Sequence, residues 1–115
     1  MNVQLIIEDK QESYKEVHNI VDIEDRNHFS YTDDTGAKNV ISVFSDGVEV
    51  RREDTDHSTT LVLRSDSFVE ISSEEGVLNF SLKVLAINLE LDNIVIAYQI
   101  GDTTKELTIK YLGDK

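Results

Sequence analysis

The sequence predicts an all-β protein that folds as a single antiparallel meander β-barrel of about 8 to 10 short strands. Three observations carry this prediction. The chain has 12 Val, 11 Ile and 8 Thr against 3 Ala, and branched side chains favour pleated strands over helices. Apolar and polar residues alternate along most of the sequence, and turn-forming pairs separate the alternating stretches at short intervals. With 115 residues and neither linker nor internal repeat, residues 1–115 form one domain.

The first two segments are assigned from the alternation alone. The first strand carries apolar residues at alternate positions, namely Val3, Leu5 and Ile7. The second segment has an apolar face made by Val17, Val21 and Ile23, with Asn19 between them. A short helix over residues 12 to 24 is the local alternative, because Tyr14, Val17, Val21 and Glu24 also fall near helical spacing.

The remaining alternating stretches predict eight further strands, over residues 28 to 32, 38 to 44, 47 to 52, 58 to 64, 68 to 73, 77 to 91, 94 to 100 and 105 to 111. The turn between Val43 and Val48 is the most specific, because Asp46-Gly47 tolerates the positive φ of a tight hairpin. Residues 33 to 36, 74 to 76, 92 to 93 and 101 to 102 are weaker turn signals of the same kind.

Within residues 77 to 91 the apolar face changes phase. Apolar residues occupy even positions up to Val84 and odd positions from Leu85 onwards. A period of two cannot shift in this way without an extra residue. The sequence therefore predicts a β-bulge or a sharp bend near Val84-Leu85.

Closing the meander into a barrel hides its edge strands and encloses the apolar face, so a barrel is expected. A two-sheet sandwich is the alternative. A barrel of about eight strands has room for packed side chains or for one small ligand, and the two cases imply different functions.

Charge and cysteine content exclude several classes of function. The formal net charge of −12 repels phosphate backbones and anionic lipid head groups, so neither nucleic acid nor membrane is an expected partner. With 0 Cys the chain has no disulfide or thiolate site, which fits a reducing compartment. The first residues lack the basic and apolar regions of a signal peptide, and no apolar run approaches a membrane span. We therefore expect a cytoplasmic protein.

Two constellations resemble catalytic or metal sites and are better explained as surface turns. Asp34-Thr35-Gly36-Ala37 matches the core of an aspartic-protease turn, but the apolar residues that this motif needs before its aspartate are missing. Asp54, Asp56 and His57 offer metal-ligand atoms without the ordered spacing of a calcium loop. His18 and His28 alternate with apolar neighbours and are expected to face solvent. We predict no catalytic residue, no metal and no cofactor.

Arg52 is the most informative polar residue. Counting by two from Val48 and Val50 places it on the inward face. A guanidinium there needs a partner, and a carboxylate head group of a ligand is one candidate. The alternative is a rim position with the side-chain stem on the barrel and the head in water.

The predicted strands and turns follow one another in a characteristic order. They are Phe29-Ser30-Tyr31, the hairpin into Val48-Glu49-Val50-Arg51-Arg52, Leu61-Val62-Leu63, the Gly76 turn, Ile96-Ala97-Tyr98-Gln99-Ile100 and Lys105-Glu106-Leu107-Thr108-Ile109. This order resembles the YwiB-like proteins of Gram-positive bacteria, a family of unknown function, over nearly the whole chain. The resemblance implies a lipocalin-like, or calycin-like, β-barrel that could hold an apolar small molecule, and it implies no particular ligand or catalytic residue.

The sequence thus predicts a non-enzymatic barrel that binds a small apolar or amphipathic molecule. The alternative is a protein–protein interaction module with a side-chain-filled barrel, whose acidic exterior meets a basic protein. An interior void of roughly 300 Å³ or more favours the first. The residues expected to line the interior are Phe29, Tyr31, Val50, Arg52, Phe80 and Tyr98.

Overall fold

The computed structural model describes residues 2–9, 11–20 and 22–112. Over these residues the chain forms twelve β-strands and no helix, so it contains no helix that could cross a membrane. The strands are β1 (Asn2–Asp9), β2 (Tyr14–Ile20), β3 (Asp22–Asp25), β4 (His28–Thr32), β5 (Lys38–Phe44), β6 (Gly47–Glu53), β7 (His57–Leu63), β8 (Ser67–Ser73), β9 (Gly76–Ser81), β10 (Lys83–Leu89), β11 (Asn93–Ile100) and β12 (Thr103–Leu112).

The all-β prediction is confirmed, and most strand boundaries agree with it. Strands β4 and β5 coincide with the predicted residues, and β6, β7, β8, β11 and β12 differ from them by at most two residues. The agreement follows from local chemistry, since turn residues end each alternating stretch. The helix considered for residues 12 to 24 is wrong, because the described part of that segment forms β2 and β3.

The hairpin between β5 and β6 is held by a close backbone approach at Gly47. Its φ is +153°, and a Cβ at this position would lie 1.9 Å from the carbonyl oxygen of Leu63 on β7. Only glycine lets the two strands approach so closely. The Asp46-Gly47 turn predicted from the sequence is confirmed.

The described strands pair into two antiparallel sheets. The seven-stranded sheet has the order β3-β4-β5-β6-β7-β8-β9, which is an uninterrupted meander. The five-stranded sheet has the order β10-β11-β12-β1-β2 and draws on both ends of the chain, because β1 pairs with β12 from Asn2↔Leu112 to Asp9↔Lys105.

This pairing does not show a single closed barrel. Consecutive strands change sheet after β2 and again at Leu82, between β9 and β10, so each sheet keeps two edge strands. The structure describes twelve strands instead of about ten. Each change of sheet divides one predicted strand into two, because the second segment becomes β2 and β3, and the strand over residues 77 to 91 becomes β9 and β10. The two-sheet arrangement left as the alternative therefore describes the hydrogen bonding.

The core lies between the two sheets. Both contribute fully buried aliphatic side chains: Leu5, Ile96 and Leu107 from the five-stranded sheet meet Ile41 and Leu63 from the seven-stranded one, all with 0% exposure. Burial of such side chains is the main favourable term in folding, because it removes apolar surface from water.

The face predicted for the second segment is wrong on β2, whereas Ile23 on β3 is partly buried and packs against the core as expected. Val17 is 45% exposed, whereas Ile20 is 1% exposed and lies in the core. The register explains this, because Ile20 lies opposite the buried Val3, and Val17 lies opposite Ile6 on the other face of the sheet. Val21, assigned to the same face as Val17, lies outside the described residues.

The predicted irregularity near Val84-Leu85 is confirmed. The pairing of β10 with β11 shifts register between Val84 and Ala86, so Leu85 is the extra residue of a bulge. Beyond the bulge Ile87 lies opposite the core residue Ile96, which accounts for the change from even to odd apolar positions. The predicted strand is also interrupted at Leu82, where the chain leaves one sheet for the other.

Candidate ligand site

A pocket of about 510 Å³ opens between the two sheets. We call it the interior pocket. Its apolar wall is formed by Ile7 of β1, Val50 of β6 and Leu61 of β7. Val50 and Leu61 are direct cross-strand partners, and Ile7 belongs to the opposing sheet. These residues alternate in phase with core residues, so they face inward and leave a space where the core ends.

Asp33 organises the polar side of the pocket. It begins the turn of residues 33–37, in which its Oδ1 accepts hydrogen bonds from the Thr35 amide at 3.0 Å and the Thr35 hydroxyl at 2.6 Å. Its Oδ2 accepts from Asn39 Nδ2 and from Arg52 Nε, both at 3.0 Å. These bonds, above all those from Thr35 and Asn39, hold the pKa of Asp33 well below its usual range. The carboxylate is therefore ionised and fixed in place.

Arg52 faces inward as predicted by counting from Val48, and it lines the pocket. Its Nη2 donates to the Thr35 hydroxyl oxygen at 2.7 Å, and its Nη1 lies 3.6 Å from Asp54 Oδ2. The hydrogen bond to Asp33 raises the pKa of the guanidinium. The expected partner of the Arg52 guanidinium was the carboxylate of a ligand, and in the structure the carboxylate of Asp33 takes that place. One third of the Arg52 side chain stays exposed.

A stacked ring pair joins the sheets across the pocket. The rings of His18 on β2 and Tyr31 on β4 lie 4.5 Å apart between centroids, with 27° between their planes. His18 Nε2 is 3.7 Å from Glu16 Oε2. Burial, followed by the charge of Glu16, raises the pKa of Tyr31 to about 12. Tyr31 therefore keeps its proton at neutral pH.

The expectation that His18 faces solvent is wrong. His18 lies opposite Leu5, and both point between the sheets. The cause is the face reversal of β2 described above, since an inward Ile20 places His18 and Glu16 inward as well. His28 has a side chain that is 52% exposed and pairs with Asp25 at 3.1 Å, in agreement with the solvent-facing prediction.

The structure brings together three of the six residues expected to line the interior: Tyr31, Val50 and Arg52 all border the pocket. Phe29 and Tyr98 are core residues, with 2% and 4% exposure. Phe80 lies on the edge strand β9, is 47% exposed, and does not border the pocket.

Several pocket residues were not expected from the sequence to line an interior site, among them Ile7, Glu16, Asp33 and Asn39. Among these residues, Asn39 has the clearest sequence signal for an inward position, because it is a polar residue in phase with Ile41. In the structure Asn39 is 4% exposed. A buried amide needs partners, and Asn39 donates to Asp33 and to the carbonyl oxygen of Ala37. That requirement points to the neighbouring turn.

The first surface constellation lies in a turn, and the second lies in a loop that ends where His57 begins β7. Asp34 is exposed, and the preceding residue Asp33 makes the hydrogen bonds of the turn. Asp54, Asp56 and His57 are exposed, and Asp54 pairs with Arg52. Among residues 2–9, 11–20 and 22–112 no three His, Asp or Glu side chains are grouped so that they could hold a metal ion.

Comparison with known proteins identifies the fold. No protein-family model and no curated protein matches the sequence. The crystal structure of ywiB protein from Bacillus subtilis matches with a TM-score of 0.57 and 22% sequence identity, over 99% of this chain and 89% of that one. The chain shares the fold of YwiB. The match supports the YwiB-like relation that the order of strands predicted, whereas the lipocalin-like assignment is not confirmed.

The likeness to YwiB extends over the strands that carry the interior pocket, because it covers nearly the whole chain. At this sequence identity the YwiB comparison establishes the fold alone. One fold hosts many functions, so function has to be argued from the geometry of the pocket.

Proposed function

We propose that the protein is a non-enzymatic binder of a small amphipathic molecule, which it holds in the interior pocket between its sheets. The observation that carries the proposal is the pocket itself, whose volume of about 510 Å³ lies within the roughly 300 to 1,000 Å³ typical of small-molecule sites. A cleft of this size between the sheets favours ligand binding over a side-chain-filled interior, which was the alternative expected from the sequence. The predicted basic protein partner stays a prediction.

The two sides of the pocket suit the two parts of an amphipathic ligand. Ile7, Val50 and Leu61 offer an apolar wall against which a hydrocarbon or ring can lose contact with water. Tyr31 and the hydrogen-bonded Asp33–Arg52 pair offer fixed polar groups at the other side. Such groups orient a ligand without the entropy loss of ordering them on binding.

The charges at the polar side favour a neutral or cationic polar group on the ligand. Glu16, Asp33 and Asp34 line the pocket together with one arginine, Arg52, whose guanidinium is already engaged by Asp33. A ligand carboxylate would have to compete with Asp33 for that guanidinium. We therefore infer that an amine or hydroxyl group is accepted more readily than the carboxylate first considered for Arg52.

Fluorescence titration with the neutral apolar dye N-phenyl-1-naphthylamine tests the proposal. We expect saturable binding to one site. Thr59 lines the pocket from the inward face of β7, so Thr59→Trp should fill the space and weaken binding at least tenfold. Ser58→Trp, at the adjacent position on the opposite face, is the matched control and should bind as the wild type does. Equal binding by the two variants would place the dye elsewhere and overturn the proposal.

Competition between ligands of one chain length tests the polar preference separately. Dodecylamine and dodecanol should displace the dye at lower concentrations than dodecanoate does. If dodecanoate displaces it best, the pocket binds amphiphiles but Arg52 does receive a carboxylate. Native mass spectrometry of freshly purified protein adds an independent check, since a retained ligand appears as a discrete mass excess that is lost on denaturation.

A further inference from the structure

Among the strands that the structure describes, four are edge strands, β2 and β10 in one sheet and β3 and β9 in the other. One side of an edge strand has backbone N–H and C=O groups without a strand partner, and these groups can pair with another chain. Proteins discourage such pairing with charged residues, bulges or proline on the edge.

Three of the four edges carry such obstacles. Strand β3 carries Glu24 and Asp25, so a copy of β3 placed alongside would bring carboxylates close together. Strand β2 carries Lys15 and Glu16. Strand β10 carries Lys83 and the bulge at Leu85.

Strand β9 (Gly76–Ser81) carries none of these obstacles. Its sequence Gly-Val-Leu-Asn-Phe-Ser has no charge, and it pairs with β8 in unbroken register from Phe68↔Ser81 to Ser73↔Gly76. All six of its residues are exposed. In a chain with 30% charged residues, this uncharged edge is unusual.

Apolar side chains on the inner face of β9 are left uncovered. Leu78 lies opposite Ile71, and Phe80 lies opposite Val69, which is 7% exposed, so both belong to the inward face of the sheet. Leu78 is nevertheless 60% exposed and Phe80 47% exposed, because the five-stranded sheet does not cover them. Exposed neighbouring apolar residues on a free edge indicate a contact surface.

The strand is complementary to itself under two-fold symmetry. Antiparallel pairing of two copies about Asn79 places Leu78 of each copy opposite Phe80 of the other, on one face of the joined sheet. The charged residues nearest the two ends of the strand are Glu75 before it and Lys83 after it. Glu75 and Lys83 have opposite signs, so antiparallel copies of β9 turn the acidic end of one strand toward the basic residue that follows the other strand, which lies beyond the break at Leu82 and begins β10.

We propose that two copies of the chain associate through β9, with the two seven-stranded sheets joined into one across a two-fold axis at Asn79. A single edge contact buries less than the roughly 800 Å² per partner of a standard interface, so the dimer should be weak and concentration-dependent. The proposal is independent of ligand binding, because β9 contributes no residue to the interior pocket.

Sedimentation velocity over about 5 to 500 µM protein tests the association, since weak dimers dissociate on dilution. We expect the average mass to rise above the monomer value of 13.1 kDa with concentration in the wild type but not in Phe80→Lys. Leu85→Lys is the matched control, because Leu85 on β10 is exposed to nearly the same extent, 46% against 47%. A wild type that stays monomeric overturns the proposal, as does a loss of association in Leu85→Lys equal to that in Phe80→Lys.

Disulfide formation tests the register, because the chain has 0 Cys. Two Asn79→Cys copies paired about the axis have Cα atoms about 4.5 to 5.5 Å apart, within the range that a disulfide spans. Val77→Cys would instead lie opposite Ser81. Under mild oxidation Asn79→Cys should form the covalent dimer at least tenfold faster than Val77→Cys, and equal rates would show that the copies meet in another register or by chance.

Discussion

Arg52 donates from Nε to Asp33 Oδ2 over 3.0 Å, and this bond ties strand β6 to the turn that precedes β5. The two residues are 19 positions apart in the sequence, and both border the interior pocket. The pair therefore has two roles, since it anchors a turn and also sets the charge that a ligand would meet.

Removing the guanidinium should destabilise the fold modestly. We expect Arg52→Ala to lower the free energy of unfolding by on the order of 1 kcal/mol, because solvent screens an arginine side chain that is one third exposed. Arg51→Ala is the control, since Arg51 faces outward, is 58% exposed and pairs with Glu53 on the surface. Urea unfolding measures both. Equal stabilities of the two variants would identify Arg52 as a simple rim residue.

The stabilisation by Asp33 should depend on pH in one direction. Its folded-state pKa lies below the unfolded value of about 3.9, so unfolding takes up a proton when the pH falls below that value. The contribution is fully present above about pH 4 and is lost as the pH falls towards the lowered folded-state pKa. The stability difference between wild type and Asp33→Asn, measured by urea unfolding, should be constant near neutrality and shrink in acid. A difference that grows in acid would contradict the assignment.

Gly47 should tolerate no side chain. An alanine Cβ would lie 1.9 Å from the Leu63 carbonyl oxygen, so β6 and β7 would have to separate. We expect Gly47→Ala to lower the unfolding free energy by about 2 to 4 kcal/mol. Gly101 also has a positive φ, +59°, but nothing lies within 4 Å of its Cβ position. Gly101→Ala should therefore lower it by only about 1 kcal/mol, through backbone strain alone. Thermal and urea unfolding distinguish the two values.

The centre of β12 should be far more sensitive to truncation than its end. Leu107 is 0% exposed, and Leu107→Ala should lower the unfolding free energy by about 3 kcal/mol because it leaves a cavity in the core. Leu112 lies on the same strand and is 43% exposed, so Leu112→Ala should lower it by less than about 1 kcal/mol. Similar losses in both variants would mean that the core does not lie between the sheets at Leu107.

The strands could be predicted because their signals are local. Alternation and turn residues lie within a few positions of one another, and even the bulge at Leu85 follows from a phase change inside one segment. The inward face of β2 could not be predicted in this way. Val17 and Ile20 are both apolar and lie on opposite faces of β2, so either face could be the inward one. The pairing with β1 decides which of the two residues is buried.

The candidate site depends still more on distant parts of the chain. Arg52 could be placed on the inward face by counting, but its partner could not, because Asp33 reaches it from a turn beyond the end of the paired strands. The stack of His18 on Tyr31 joins strands of different sheets. Whether a barrel closes likewise depends on the pairing of its edge strands, and alternation within one strand does not predict that pairing.

The pairing of β1 with β12 has a consequence for folding during synthesis. Strands β3 to β9 are contiguous in sequence, so the seven-stranded sheet can assemble from neighbouring hairpins as soon as they leave the ribosome. The centre of the other sheet joins residues more than a hundred positions apart, such as Asn2 and Leu112. Its ordering must await β12, so the nascent chain carries β1 and β2 without their central partner until β12 has been synthesised.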